Sequence, residues 1–255
     1  MPVRPVLIGA GRGARLAHNT DLVPKTLVPV LGRPMLDWVL EALAAGGFRP
    51  ADVVFIAGYR AEVLRERYPD FTYVENADWQ NNNVLLSLLC ARPLLEDGFV
   101  CSYTDIVYRP EPVARLMASP HDITLVCDTD WRRRYVGRSH HPESDAEKLV
   151  AQGDRVVRVS RQIASEEASG EYIGVARFTR AGAAQLLEAF DEAKQHYAGR
   201  LFREGRTFER AYLIDLLQWM LERGAAIHRV DTPGGYMEID TEEDLAMAPR
   251  WWGAP

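Results

Sequence analysis

The sequence predicts an α/β fold with a mixed, mostly parallel central sheet flanked by helices, and three observations predict it. Apolar runs such as "DVVFIAG" (52–58) and "DITLVCDTD" (122–130) lack polar alternation, as strands buried on both faces do. Segments with apolar residues at helical spacing alternate with those runs through the first half. In the second half, "DRVVRVS" and "GEYIGVARFT" are strands separated by polar turns, which adds an antiparallel part.

Along the chain, residues 3–8 form a short buried strand, followed by a glycine-rich loop. Met35, Leu36, Val39, Leu40 and Leu43 then share a helical face, with Pro34 at its start and Gly46 and Gly47 past its end. The strand at 52–58 leads into a helix over 61–68, and "FTYVEN" (71–76) is the third strand. "NVLLSLLCARPLL" has a helical pattern, and "GFVCSYTDIVY" (98–108) reads as one strand. After the strands at 122–130, 154–160 and 170–179, helices are expected over 181–197 and 208–223. The second of these carries the stripe Leu213, Leu216, Leu217 and Met220. "AIHRVDT" is a late strand, and "TEEDLAMA" a final helix with Thr241 as N-cap. No Ser/Gly-rich linker, repeat or charge block interrupts the chain, so one domain over residues 1–255 is expected.

A chain of 255 residues can bury a substantial core. Its 30 basic and 36 acidic residues give a net charge of −6. No global field therefore draws nucleic acid or an anionic membrane, and any anion site must be local. No window approaches the ~18 apolar residues of a membrane span, and the N-terminus lacks the pattern of a signal peptide. Cys90, Cys101 and Cys127 show no CxxC spacing and lie in apolar runs, so buried thiols in a reducing cytoplasm are expected.

The loop in "LIGAGRGARLAHNTDLVPKTLVPV" (7–30) is the first candidate for chemistry. Gly9, Gly11 and Ala14 formally satisfy a dinucleotide fingerprint. That motif needs a helix starting at the loop and an acidic residue about 20 positions on, after the next strand. Here the loop runs on to Lys25 and Asp37 falls within a helix, so the fingerprint fails. The Walker A pattern is absent as well. Gly11 and Gly13 let backbone N–H groups approach an anion closely. Arg15 offers phosphate a planar fork, and Lys25 a mobile point charge. On these residues alone, a phosphate cradle and a glycine turn with two solvated cations both stand. A solvated lysine predicts that its removal changes stability by no more than about 0.5 kcal/mol.

Gly11, Gly13, Arg15 and Leu16 after a first strand, with Pro24 and Lys25 further along, resemble the signature of nucleotidyltransferases that activate sugar phosphates and small phospho-alcohols. The resemblance continues through "TLVPVLGRPMLDWVLEAL", "YTDIVY" and "YMEIDTEEDLAMA". One departure is "IGAG", where the family has Ala-Ala-Gly. The resemblance implies the Rossmann-like nucleotide-diphospho-sugar transferase (GT-A-type) fold. It also implies a nucleotide held by Ile8, Gly9, Ala10, Gly11, Gly13, Arg15, Lys25 and Asp105, with Arg15 and Lys25 catalytic. Asp105 and Asp240 stand where the family places its two metal-carrying aspartates, and oxygen ligands suit Mg²⁺. Without the resemblance, Asp105 reads as a turn residue and Asp240 as a helix-start residue. Glu238 is a weaker candidate ligand.

"NADWQNNNVLLSLL" resembles the Asn-rich segment of cytidylyltransferases for phosphocholine and 2-aminoethylphosphonate. This implies that Asn81, Asn82 and Asn83 read a base edge or a polar acceptor; a polar helix cap is the plainer alternative. The Gln and Gly-Thr turn of sugar-1-phosphate enzymes is absent. Trp131, Arg132, Arg133, Arg134, Tyr135, Arg138, His140 and His141 gather in one segment, either a solvated loop or a lid over the acceptor. His140 and His141 with Asp145 lack metal-ligand spacing. The resemblance implies acceptor contacts at Lys148, Glu171 and Tyr172, with Trp131 at the same end. An aromatic cage for a quaternary ammonium can draw on Trp79, Tyr103, Trp131, Tyr172 and Tyr236.

The expected reaction joins CMP from CTP to a small phosphorylated or phosphonate acceptor, with release of pyrophosphate and Mg²⁺ as cofactor. The nucleoside triphosphate and acceptor are the expected partners, nucleic acid and membrane are not, and a homodimer is left open. One rival is a sugar-1-phosphate nucleotidylyltransferase using UTP, dTTP or GTP. The other is a catalytically silent nucleotide-sensing or scaffold domain of the same fold, which the presence of Arg15, Lys25, Asp105 and Asp240 disfavours.

Overall fold

A computed structural model describes residues 3–252. The chain begins with β1 (Arg4–Ile8), a small hairpin of β2 (Pro29–Val30) and β3 (Arg33–Pro34), and α1 (Met35–Ala44). Next come β4 (Val54–Ala57), α2 (Ala61–Arg67), β5 (Thr72–Glu75) and α3 (Val84–Leu89). They lead to β6 (Phe99–Tyr103), β7 (Ile106–Tyr108), α4 (Glu111–Ala118), β8 (Ile123–Asp128) and a short α5 (Arg132–Tyr135). The second half adds β9 (Lys148–Gln152), β10 (Arg155–Val159), β11 (Gly170–Phe178), α6 (Arg180–Tyr197) and α7 (Leu213–Glu222). It closes with β12 (Ile227–Asp231), β13 (Tyr236–Glu238) and α8 (Glu242–Trp251).

Nine strands form one sheet in the order β5-β4-β1-β6-β11-β8-β12-β10-β9. β1 lies parallel to β4 and β6, β4 to β5, and β8 to β12. β11 runs antiparallel between β6 and β8, and β10 antiparallel between β12 and β9. Only β10 and β11 run against the other strands of this sheet, which is the mixed, mostly parallel arrangement the sequence predicts. The absence of polar alternation has a direct cause. Val6, Ile8, Val54 and Ile56 join the cluster on one face, while Leu7, Phe55 and Ala57 join the cluster on the other. Helices cover both faces, so both sets of side chains are buried.

Helix ends follow their local chemistry. Thr241 caps α8 by accepting from Asp244 N, and the Asp244 carboxylate accepts in return from Thr241 N, a reciprocal capping box. Thr179 caps α6 through Gly182 N. Asn83 caps α3 by accepting from Val84 N at 2.8 Å.

Several expectations are corrected. The strand at 98–108 is two strands, because the chain leaves the large sheet after Tyr103 and β7 pairs with β13 instead. The helix over 208–223 is a 3₁₀ turn (Phe208–Arg210) followed by α7, with Tyr212 as the capping residue between them. Residues 14–27 are not plain loop but contain 3₁₀ turns at Ala14–Thr20 and Lys25–Leu27. Cys101 and Cys127 are buried in β6 and β8, whereas Cys90 is exposed past the last turn of α3. Among the described residues, no helix is long and apolar enough to cross a membrane.

Candidate active site

The carboxyl ends of β1 and β6 open into a cleft of about 280 Å³, where open α/β sheets hold ligands. Close approach dictates two of the loop glycines. A Cβ on Gly9 would stand 2.5 Å from the Phe55 ring and 2.7 Å from Thr104 Oγ1. At Gly13, φ is +71°, and a Cβ would stand 2.5 Å from the Lys25 stem. Gly13 is therefore the space into which Lys25 folds. Gly11 has nothing within 4 Å of the Cβ position, leaving that stretch of backbone open.

Lys25 is not a solvated cation, because it is buried beneath this loop. Its Nζ donates to Asp105 Oδ2 at 2.8 Å and to Asp240. Arg15 donates to Asp240 from the loop side and lies 3.7 Å from Asp145. Burial disfavours the Lys25 charge, but Asp105, Asp240 and Glu238 outweigh it and hold the ammonium above its ordinary pKa. Burial likewise opposes the Asp240 charge, yet Lys25 and Arg15 pull its pKa down to about 2.

The two aspartates meet through the β7–β13 ladder. Thr104 Oγ1 donates to Ile8 O at 3.1 Å, and the chain turns away at Asp105. β7 then pairs antiparallel with β13, matching Ile106 to Glu238, and Ile239 N donates to Asp105 O at 2.9 Å. Asp105, Glu238 and Asp240 thereby crowd carboxylates around one ammonium. A set of hard oxygen donors facing a cation fits Mg²⁺. His141, Glu238 and Asp240 also bring ligand-type atoms within 4.8 Å of one another.

The cleft brings together Ile8, Gly9, Gly11, Gly13, Arg15, Lys25 and Asp105 from the nucleotide set. Asp240, Asn83, Glu171 and Tyr172 line it as well. Ala10 does not: it is buried, and its carbonyl accepts from Tyr59 N at 2.9 Å. Asn81 turns to Asp78, and Asn82 exchanges hydrogen bonds with Asn76, so neither lines the cleft. Asn83 faces it while capping α3, so the helix-cap alternative holds for the residue that reaches the cleft. Lys148 is buried behind the cleft, donating to Glu143 O at 3.3 Å, with its Nζ 5.9 Å from the Trp131 ring. Trp131 packs with Tyr135 and Ala146. Of the aromatic set, Tyr103, Tyr172 and Tyr236 line the cleft, while Trp79 stacks edge-on with Tyr59.

The cationic segment is solvated only in part: Arg132, Arg133 and His140 are exposed, whereas Arg134 and His141 are buried. Arg134 is buried in an ion pair with Asp128 and lies over the Tyr236 ring at 5.0 Å. His141 is buried between Asp244 and Glu238, and His140 donates its backbone N–H to Glu243. Asp145 pairs instead with Arg15 and Arg161, so it does not join the histidines.

Glu147, Arg161 and Tyr212 also line the cleft, and residue reading alone passed over them. Neighbouring residues on an extended chain face opposite ways. Assigning Lys148 to the cleft therefore selected the wrong member of the Glu147–Lys148 pair. Burial pushes the Glu147 carboxyl up to about 8, against the pull of Arg161. Glu171 rises to about 7 through burial and the nearby Glu238, with Arg134 opposing, and its Oε1 accepts from Tyr135 OH at 2.8 Å. Tyr103 OH donates to Glu147 Oε2 at 3.3 Å.

This geometry agrees with what the chain is similar to. It is 24% identical over 252 residues to the CTP:phosphoglutamine cytidylyltransferase of Campylobacter jejuni, covering 95% of this chain and 97% of the relative. It is 36% identical over 113 residues to the 2-aminoethylphosphonate cytidylyltransferase of Lancefieldella rimae, a match spanning 42% of this chain and 45% of that protein. The solved CTP:phosphocholine cytidylyltransferase from Streptococcus pneumoniae superposes with a TM-score of 0.71 at 21% identity, covering 98% of this chain and 99% of that one. That likeness shows the nucleotidyltransferase fold. The family model for the MobA-like NTP transferase domain matches residues 5–209. The chain belongs to the MobA-like NTP transferase domain family and is a nucleotidyltransferase.

Proposed function

We propose that this enzyme transfers CMP from CTP to a small phosphorylated or phosphonate acceptor carrying a cationic nitrogen, releasing pyrophosphate. The observation that carries the transfer chemistry is the Lys25 ammonium, buried under the Gly13 turn between Asp105 and Asp240. An ionised acceptor oxygen attacks the α-phosphorus in line, the P–O bond to the β-phosphate breaks, and pyrophosphate carries away the electron pair. That oxygen is already deprotonated near neutrality, so no general base is needed. Lys25 neutralises the α-phosphate where charge develops, and Arg15 with the loop amides holds the β- and γ-phosphates. Mg²⁺ bound to Asp105 and Asp240 would supply further neutralisation of the triphosphate.

The cationic nitrogen is argued from the other end of the cleft. Glu147 and Glu171 are carboxylates set among Tyr103, Tyr172 and Tyr236, and both are pushed up by burial. A cation bound there relieves that penalty and meets aromatic faces. Phosphocholine and 2-aminoethylphosphonate, for which two similar proteins are named, both carry such a nitrogen. The test is pyrophosphate release with each of four nucleoside triphosphates against acceptors with and without an amine. CTP with an amine-bearing phosphate or phosphonate is expected to be fastest. A preference for UTP or GTP with a neutral sugar 1-phosphate would move the enzyme to the sugar branch.

A further inference from the structure

The turn that carries Glu238 and Asp240 is held by a segment with no part in the chemistry above. Asp244 Oδ2 accepts from Asp240 N and from Thr241 N, both at 2.9 Å, so one buried carboxylate fixes the backbone on which Asp240 stands. The same oxygen lies 3.1 Å from His141 Nδ1. The other ring nitrogen of His141 lies 3.3 Å from Glu238 Oε2. Arg138 donates to Glu238 O at 2.9 Å, and its Nε lies 3.0 Å from Asp244 Oδ1 as an ion pair without hydrogen-bond alignment. On the outside, Glu243 accepts from Ser139 N, Ser139 Oγ and His140 N, each at 2.8 Å.

We propose that residues 138–141 are a strap clamped on the start of α8, and that His141 is the positioning residue through which it sets Glu238 and Asp240 for the metal. One ring nitrogen lies at hydrogen-bond distance from Asp244 and the other faces Glu238, so His141 bridges two carboxylates and serves here as a cross-brace and not as a ligand. An outer brace of this kind orients the carboxylates that meet the ion, and removing one typically costs 10–100-fold in metal affinity. Arg138 and Glu243 close the clamp from the two sides. The strap accounts for Arg138 and His141 without giving them to the acceptor.

This inference rests on Asp240 as a metal ligand, so the experiment separates the two. Mn²⁺ affinity is measured by titration without nucleotide on wild type, Asp240→Asn, His141→Leu, His141→Asn and Glu243→Ala. Circular dichroism is recorded alongside. Loss of Mn²⁺ binding in Asp240→Asn establishes the ligand; its persistence there overturns both readings. His141→Leu is expected to weaken Mn²⁺ by about 10–100-fold, with the circular dichroism of wild type. His141→Asn keeps an amide donor towards Asp244 and is expected to recover part of that loss. Equal losses in His141→Leu and His141→Asn would make His141 a ligand and overturn the strap. So would wild-type affinity in a folded His141→Leu protein. Should His141→Leu fail to fold, Glu243→Ala decides, since it only releases the outer clamp. A drop of at least about threefold supports the strap, and an unchanged affinity overturns it.

Discussion

Replacing Lys25 by Met tests what the ammonium does before any substrate arrives. Met keeps a linear apolar stem against Gly13 and removes the charge, leaving Asp105, Asp240 and Glu238 facing one another. A single ion pair at 2.8 Å is worth about 6 kcal/mol gross at an effective dielectric of about 20. Desolvation offsets much of that, and removing one partner of a buried pair typically costs about 3–5 kcal/mol. The Asp105 side chain is 33% exposed, so water screens its share. A loss of about 2–3 kcal/mol remains, which for a chain of this size lowers Tm by about 4–12 °C. This exceeds the near-neutral change expected of a solvated loop lysine. The assay is thermal unfolding of both proteins in chelator and in excess Mg²⁺. The variant is expected to melt lower in chelator and to gain more from Mg²⁺ than wild type does. Equal melting temperatures in chelator, or equal gains from Mg²⁺, would refute the view that Lys25 neutralises the empty carboxylate cluster.

Other outcomes follow from the same geometry. Gly13→Ala places a Cβ 2.5 Å from the Lys25 stem at φ +71°, so steady-state kinetics should show kcat falling by at least about tenfold with a smaller change in KM for CTP; an unchanged kcat would free Lys25 from that turn. Asp105→Asn should lower turnover by ~10²-fold or more in a pyrophosphate-release assay, as loss of one preorganised contact does, and a near-normal rate would remove it from the metal shell. Burial holds Glu171 at about 7 and Glu147 at about 8, so both gain charge as pH rises through those values, and KM for an amine-bearing acceptor should fall across that window. Glu171→Gln should flatten the lower part of that dependence; an unaltered profile would take Glu171 out of acceptor binding.

Much of the fold was legible because the sheet is covered on both faces. Burial on both sides forces unbroken apolar runs at β1, β4, β6 and β8, and such runs are visible without long-range information. β9 was missed because "KLVAQ" is only half buried and resembles loop sequence. The break between β6 and β7 was missed for a different reason. Nothing local stops the strand at Tyr103; its continuation pairs with β13, which lies far along the chain. At the site, Gly13, Arg15 and Lys25 were legible as a glycine turn carrying two cations because glycine spacing and cation placement are local, and the phosphate cradle came from the resemblance. Their burial and pairing were not legible, since the carboxylates that surround Lys25 come from the turn before β7 and from the end of β13 and the residues just after it. The Arg132–His141 run was only partly legible for the same reason: Arg132, Arg133 and His140 are exposed, but Arg138 and His141 are buried against Glu238 and Asp244, which come from far along the chain.

Asp240 lies beyond residue 209, where the family match ends, so that match does not carry its role, which needs its own test. It takes hydrogen bonds from both Arg15 and Lys25, the two cations assigned to the triphosphate. In the absence of metal, the carboxylate therefore competes with the phosphates for the same donors. With a metal bound, Asp240 would serve as its ligand, which would leave Arg15 and Lys25 to the nucleotide. Asp240→Asn removes the competitor, keeps the shape of the side chain, and removes the metal's anchor. Metal-free CTP should then bind about 3–10-fold tighter than to wild type, the equivalent of about 0.7–1.4 kcal/mol. Added Mg²⁺ should strengthen binding much less in the variant than in wild type, because the coupling between ion and nucleotide is reciprocal. Calorimetric titration of CTP with and without Mg²⁺ on both proteins measures each leg of that cycle. If the variant binds metal-free CTP more weakly than wild type, Asp240 holds Arg15 and Lys25 in place for the phosphates and does not compete with them.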